Sequence, residues 1–295
     1  MAANLPRRQR LSGPAPEALA CVPGLESGQP PKYCGRLRGG TVNEVWRIDT
    51  SQGRFVLRVD GASWRRPGVE RSRECALHQL AAAAGLAPPL IATRPRLGVL
   101  VTEFLDGRMW SARQCRSPAS LTRLGERLAQ LHALTAPPIG RFDPFAVGRA
   151  YAALAPRSAD TRSDPRPVLQ RLESVLLQLD RRASAPSIIH GDLVHTNILE
   201  GRAVWLLDWE YAQVAEPLFD IACLFSYYPP TSRGARRLLT AAGLAADAAG
   251  GRLEQAIFVY RALNWLWYRA RGQVRLRPVL ERTAGTGVAA GGPAN

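Results

Sequence analysis

The sequence predicts an α+β chain of two lobes, the first small and β-rich, the second larger and mostly helical. Three observations carry this. Short β-rich runs separated by turn residues crowd the region 33–105. Long stretches with helical spacing of leucines dominate after it. Between two of those helices lies an irregular, polar segment from His190 to Asp208, bracketed by short apolar strands. A chain of 295 residues with 46% hydrophobic content can bury a substantial core.

Residues 1–32, rich in Pro, Gly and Ala without periodicity, are expected to form a largely disordered N-terminal arm. Strand character starts at Tyr33. Val42 to Ile48 and Arg54 to Val59 are β-rich, with Asp49 to Gly53 as the turn between them. Glu70 to Ala84 reads as a helix, because Ala76, Leu77, Leu80, Ala81 and Ala84 share a face and Gly85 can end it. Pro88-Pro89 breaks the chain, and Val99 to Leu105 is a further strand. The first lobe is thus expected at 33–105 and the second at 106–282. In the second, Ser117-Pro118 is a good cap and first-turn pair for a helix with Leu121, Leu124, Leu128 and Leu131 on one face. Leu169, Leu172, Val175, Leu176 and Leu179 mark another helix. Ile188-Ile189 is an apolar lead-in, and Asn197–Leu199 with Ala203–Leu207 form a hairpin turning at Gly201-Arg202. Helices return from Phe219 and from Leu253 to Ala270. Residues 283–295 read as a flexible tail.

Composition excludes several classes. No run of 18 apolar residues occurs, so no transmembrane helix is expected. The basic start (Arg7, Arg8, Arg10) leads into Pro, Gly and Ser, unlike a secretory signal. Five scattered cysteines with no C-x-x-C pair fit free thiols in a cytoplasmic protein. The net charge of +15 raises the question of nucleic acid, but the arginines are spread and no basic helix interleaves with aromatics. A single lysine, Lys32, means that roles usually held by lysine fall to it or to arginine.

The segment His190-Gly191-Asp192-Leu193-Val194-His195-Thr196-Asn197, followed by Asp208, has the layout of a phosphoryl-transfer site. Asp192 would accept the proton of an attacking hydroxyl; Asn197 and Asp208, as hard oxygen donors, would hold Mg²⁺ against nucleotide phosphates. The spacing from His190 through Asp192 to Asn197 meets the first part of the protein-kinase pattern. A zinc set of His190, Asp192 and His195 lacks an evident fourth ligand. His78, His132 and His195 read as packing or surface residues.

Further candidates surround this segment. Gly39 and Gly40, with Asn43, precede a strand and would let backbone approach phosphate, although a plain turn reads equally well. Arg58 is a charge embedded in a strand and needs a partner; Glu74 on the next helix is the natural one, and such a pair can hold the α- and β-phosphates. Glu103, Phe104 and Leu105 end the first lobe, where backbone groups could meet an adenine. Late aromatics (Tyr260, Trp265, Trp267, Tyr268), with Glu210 and Tyr211 after Asp208, are either a pocket for a quaternary ammonium or thiazolium ring or a buried helix stripe.

Together these pieces resemble the aminoglycoside phosphotransferase and choline kinase superfamily over about residues 33–280. The resemblance is strongest to the choline/ethanolamine kinase and bacterial thiamine kinase branch, through Val56-Leu57-Arg58-Val59, Leu207-Asp208-Trp209-Glu210-Tyr211 and Pro217-Leu218-Phe219-Asp220-Ile221-Ala222. It implies a protein-kinase-like fold, ATP and Mg²⁺, Asp192 as base, Asn197 and Asp208 on the metal, Arg58 with Glu74 on the nucleotide, and a structural role for Asp220. Val194-His195-Thr196 departs from the usual loop, and Asp-Phe-Gly and Ala-Pro-Glu are absent, which disfavours a protein substrate. The expectation is an ATP-dependent kinase of a small choline-, ethanolamine- or thiamine-like alcohol. The alternatives are an aminoglycoside or sugar kinase, or a catalytically silent nucleotide- or nucleic-acid-binding protein on this fold.

Overall fold

The computed structural model describes residues 13–26, 28–37, 43–61, 66–155, 164–180 and 185–272. It divides into two compact units, one formed by residues 1–64 and 89–104, the other by 65–88 and 105–295. Gly39, Gly40 and the tail from 283 lie outside the described residues.

The first unit is a five-stranded antiparallel sheet. Its strands are β1 (Tyr33–Arg36), β2 (Glu44–Asp49), β3 (Arg54–Val59), β4 (Leu90–Arg94) and β5 (Val99–Glu103), in the order β1-β2-β3-β5-β4. Alternation selects the buried face: Trp46 and Ile48 of β2, Phe55 and Leu57 of β3, Val99 and Val101 of β5. Residues 13–26 correct the expectation of a structureless arm. Pro16–Leu19 form a short helix, α1, and Ala18, Val22 and Leu25 are buried in this same core. Apolar residues spaced three to four apart lie within the Pro/Gly-rich stretch, and burying them stabilises order that composition alone does not suggest.

Helix α2 (Arg71–Ala83) groups with the second unit rather than with the strands that flank it in sequence. Leu77 and Ala81, with Leu86 just beyond, enter the main helical core, and the Leu206 amide donates to Leu86 O at 2.8 Å. The other helices are α3 (Pro118–His132), α4 (Pro144–Leu154), α5 (Arg166–Asp180), α6 (Leu218–Tyr227), α7 (Ser232–Ala241) and α8 (Arg252–Ala270). Leu121, Leu124, Leu128 and Leu131 of α3 are fully buried, as their spacing requires. Gly125 lets α3 approach α7, since a Cβ there would lie 2.7 Å from Leu238 O. Ser117 occupies the cap position of α3 but its side chain makes no cap bond; the capping carboxylate that does form is Asp143 at α4, which accepts from Phe145 N and Ala146 N. A second core joins α4, α5 and α8 through Tyr151, Val168, Leu172, Phe258 and Trp265. Among the described residues no helix is long and apolar enough to cross a membrane.

Two small sheets place the polar segment. Strand β6 (Arg108–Met109) pairs antiparallel with β8 (Ile198–Glu200), which forms the expected hairpin with β9 (Val204–Leu206). β7 (Ser187–Ile189) pairs antiparallel with β10 (Gln213–Ala215). The chain from His190 to Asn197 therefore leaves one sheet and enters the other, with both ends anchored by backbone pairing.

Candidate active site

Asp192 and Asn197 meet directly. The Asn197 Nδ2 donates to Asp192 Oδ2 at 2.9 Å and to Asp192 O at 3.0 Å, so one amide fixes both the carboxylate and the loop backbone. The Leu207 amide donates to Asn197 O at 2.8 Å, which brings the residue before Asp208 to the same point. Asp208 has φ 60° and ψ 77°, the one non-glycine among the described residues in the left-handed region. Backbone of this kind persists only where its surroundings over-determine it. On one side His190 Nε2 meets Leu207 O at 2.9 Å; on the other the Trp209 indole donates to Leu206 O at 2.9 Å, with its ring against His190 at 4.9 Å.

Asp220 holds the loop from beneath. Its fully buried carboxylate accepts from the amides of His190 (3.1 Å) and Gly191 (2.8 Å) and meets His132 Nε2 at 3.0 Å. His132, expected as a packing or surface residue, is a partner of this carboxylate. Gly191 is required twice over: its φ is +78°, and a Cβ would stand 2.5 Å from Tyr211 O. His195 is not exposed; it is half-buried, its amide donating to Tyr228 Oη at 3.2 Å and its ring standing edge-on to Tyr228.

Electrostatics tune Asp192. Burial pushes the Asp192 carboxyl up, the neighbouring Glu210 adds to the shift, and the Asn197 hydrogen bond and Arg66 oppose it, leaving a pKa of about 7. A carboxylate so placed can take a proton near neutral pH. Burial, first, raises Tyr227 and Tyr260, with Cys223 next and the Asp192 charge adding in the same direction.

Glu210 is occupied from both sides. Arg66 donates to its Oε1 at 2.6 Å and Arg71 meets its Oε2 at 3.3 Å, while Arg71 also pairs with Glu74 at 2.7 Å. Tyr211 accepts from Arg66 at 2.8 Å. The late aromatics divide. Trp265 is 2% exposed inside the second core, whereas Trp267 and Tyr268 are half-buried and edge-to-face at 4.8 Å, with Arg271 over Trp267 at 4.9 Å. Tyr227 of α6 stands edge-on to Tyr260 of α8 at 6.1 Å and accepts from Asn264 at 2.9 Å.

Asn43, Arg58, Glu103 and Phe104 lie in the first unit. Asn43 is buried at the start of β2. Arg58 is buried on β3 with Asp60 at 3.7 Å. The Glu103 and Phe104 amides donate to Pro89 O and Arg54 O, so these two donors already serve the sheet; the Phe104 ring carries the guanidinium of Arg47 at 4.7 Å. Leu105 is half-buried.

Arg66, Arg71, Tyr227 and Asn264 were not singled out by sequence reasoning. For Tyr227 a signal existed. It lies seven residues after Asp220 on α6, two turns along the same face, so a helix whose Asp220 supports the loop must present Tyr227 nearby. For Arg66 the signal was lost among many arginines.

Several known proteins resemble this chain. The LicA protein of Haemophilus influenzae is 28% identical over 192 residues, 63% of this chain and 56% of LicA, so the alignment spans little more than half of that relative. A choline/ethanolamine kinase family protein from Mesorhizobium loti superposes with TM-score 0.68 at 25% identity, over 92% of this chain and 87% of that one. Choline kinase LicA from Streptococcus pneumoniae gives TM-score 0.72 at 19% identity, over 84% and 88%. The fold is the kinase-like one that the sequence resemblance implied. With the phosphotransferase enzyme family model matching residues 34–266, across the sheet of the first unit and the Asp192–Asn197 loop of the second, this chain belongs to the phosphotransferase enzyme family.

Proposed function

We propose that the chain transfers the γ-phosphoryl group of ATP to the hydroxyl of a small choline-, ethanolamine- or thiamine-like alcohol. The observation that carries the reading is the Asp192–Asn197 contact on a loop pinned by Asp220, with Asp208 following on the adjoining hairpin. The acceptor oxygen attacks the γ-phosphorus, the bond from that phosphorus to the β–γ bridging oxygen breaks, ADP leaves, and the hydroxyl proton passes to Asp192. Asn197 commits its Nδ2 to Asp192, which leaves its amide oxygen for a cation; with the Asp208 carboxylate it makes a hard-oxygen pair that fits Mg²⁺. Bound there, Mg²⁺ would neutralise phosphate charge. In this reading Arg58, Glu74, Asn43, Gly39, Gly40 and the stretch Glu103 to Leu105 serve the nucleotide, and the acceptor lies against Tyr227, Tyr260, Trp267 and Tyr268.

Charge favours a single cation over a polycation. Arg66 and Arg71 offset Glu210 and Glu74, so these two carboxylates are already compensated and offer no surplus negative charge to a polycation. An aminoglycoside, carrying several ammonium groups, calls for several uncompensated carboxylates. The test is ADP release with choline, ethanolamine, thiamine, an aminoglycoside and an amino sugar as acceptors. Acceptor-dependent release with one of the first three is expected; release with the aminoglycoside alone overturns the substrate assignment, and none with any acceptor overturns the kinase reading.

A further inference from the structure

We propose that Arg66 is a positioning residue for the turn that carries Asp208, and so for metal binding; the proposal rests on the kinase reading above. Asp208 sits in left-handed backbone, which costs a non-glycine residue strain even though aspartate tolerates it better than most, and the chain is held on each side of it. The preceding side is tied through Leu207, whose amide donates to Asn197 O and whose carbonyl meets His190. The following side is a single 3₁₀ turn, Trp209–Tyr211, closed by the Ala212 amide donating to Trp209 O at 2.9 Å, and side chains fix that turn in place. Arg66 donates one terminal nitrogen to Glu210 Oε1 at 2.6 Å and the other to Tyr211 Oη at 2.8 Å, and its guanidinium lies 5.4 Å from the Tyr211 ring centroid.

One guanidinium thus fastens two consecutive residues, beginning two positions beyond Asp208, from a point 144 residues away in sequence. The Arg66 side chain is only 9% exposed, so the bonds are little weakened by water. The planar fork is needed: an ammonium offers a single point charge and cannot serve both oxygens in the same geometry. Arg71 meets the other Glu210 oxygen, so loss of Arg66 does not leave that carboxylate without a cation. This separation makes the role testable apart from folding.

The experiment is Mn²⁺ titration of the full chain in the presence of ADP, followed by electron paramagnetic resonance, with metal-free melting measured alongside. Arg66→Met is expected to weaken Mn²⁺ binding by about tenfold, the range seen when outer-shell partners of metal ligands are removed. Metal-free melting should shift much less, Arg66→Lys should recover part of the affinity, and Tyr211→Phe should lose part of it. Asp208→Asn separates the two claims. If it leaves Mn²⁺ affinity unchanged, the metal assignment falls and the proposal with it. If Asp208→Asn weakens binding while a folded Arg66→Met binds as the wild type does, the proposal alone falls. Should Arg66→Met not fold, wild-type Mn²⁺ affinity in Tyr211→Phe overturns the proposal in the same way.

Discussion

Asp192 is held by Asn197 through its own carboxylate, so one contact fixes its orientation. Replacing it by Asn keeps shape and removes the proton acceptor. Asp192→Asn should therefore abolish turnover, while Mg·ATP binding measured calorimetrically stays nearly unchanged; full retained activity would remove Asp192 as base. The late aromatics offer a second residue-scale contrast. Trp265 is core, and Trp265→Ala should cost about 3–5 kcal/mol of stability. Tyr227 stands edge-on to Tyr260, and the Asp192 charge adds to the upward push that burial gives its phenol. Tyr227→Leu is expected to raise the acceptor KM several-fold with the nucleotide KM little changed, and steady-state kinetics with each substrate varied checks it.

At the scale of elements, the catalytic loop is a bridge between β7 and β8 supported by α6 and α3. Asp220 on α6 satisfies two loop amides, and His132 at the end of α3 completes it. Asn at 220 would present an amine to one of those amides or to the histidine. Asp220→Asn should lower stability by about 1–3 kcal/mol, the cost of a buried donor left unmet. The kcat should fall more than either KM, because the loop still exists but no longer holds Asp192 in place. Gly191→Ala tests the same bridge by shape. Positive φ and a 2.5 Å approach to Tyr211 O together should cost about 2 kcal/mol or more, read from urea denaturation midpoints. Wild-type stability in that variant would show that the loop relaxes freely.

For the molecule as a whole, the buried histidine links folding to pH. His190 has its pKa pushed below the ordinary value, first by burial, with Asp220 and the Leu207 carbonyl opposing. The unfolded chain therefore takes up a proton near pH ~6.5 that the folded chain refuses. The stabilisation is present above that pH and is lost as pH falls through the window beneath it. Asp192, its carboxyl pushed up to about 7, acts in the opposite sense over the same window, so the difference is what reports His190: from neutral toward mildly acidic buffer, His190→Gln, itself less stable, should lose less melting temperature than the wild type. An unchanged slope in the variant would assign the pH dependence to other groups. The excess of basic over acidic residues, +15 for the chain, gives no such local lever, since the ion-paired arginines are spread over several separate clusters.

What the sequence determined by itself was local. Strands β1, β2, β3 and β5 of the first unit, the leucine faces of α3 and α5, the 198–206 hairpin and the five-residue step from Asp192 to Asn197 all depend on near neighbours, where period and spacing carry the information; β4, between Pro89 and Val99, did not show in the sequence. Tertiary structure alone decided which distant groups meet. Asp220 finds His132 across 88 residues and Glu210 finds Arg66 across 144. It also decided that α2 packs with the second unit, that Trp265 is core while Trp267 and Tyr268 stay half-buried, and that residues 13–26 order against the first sheet. The physical reason is the same in each case. Hydrophobic period says which face of an element is covered, but the identity of what covers it, and the partner of each buried charge, follow from packing geometry that no local window contains.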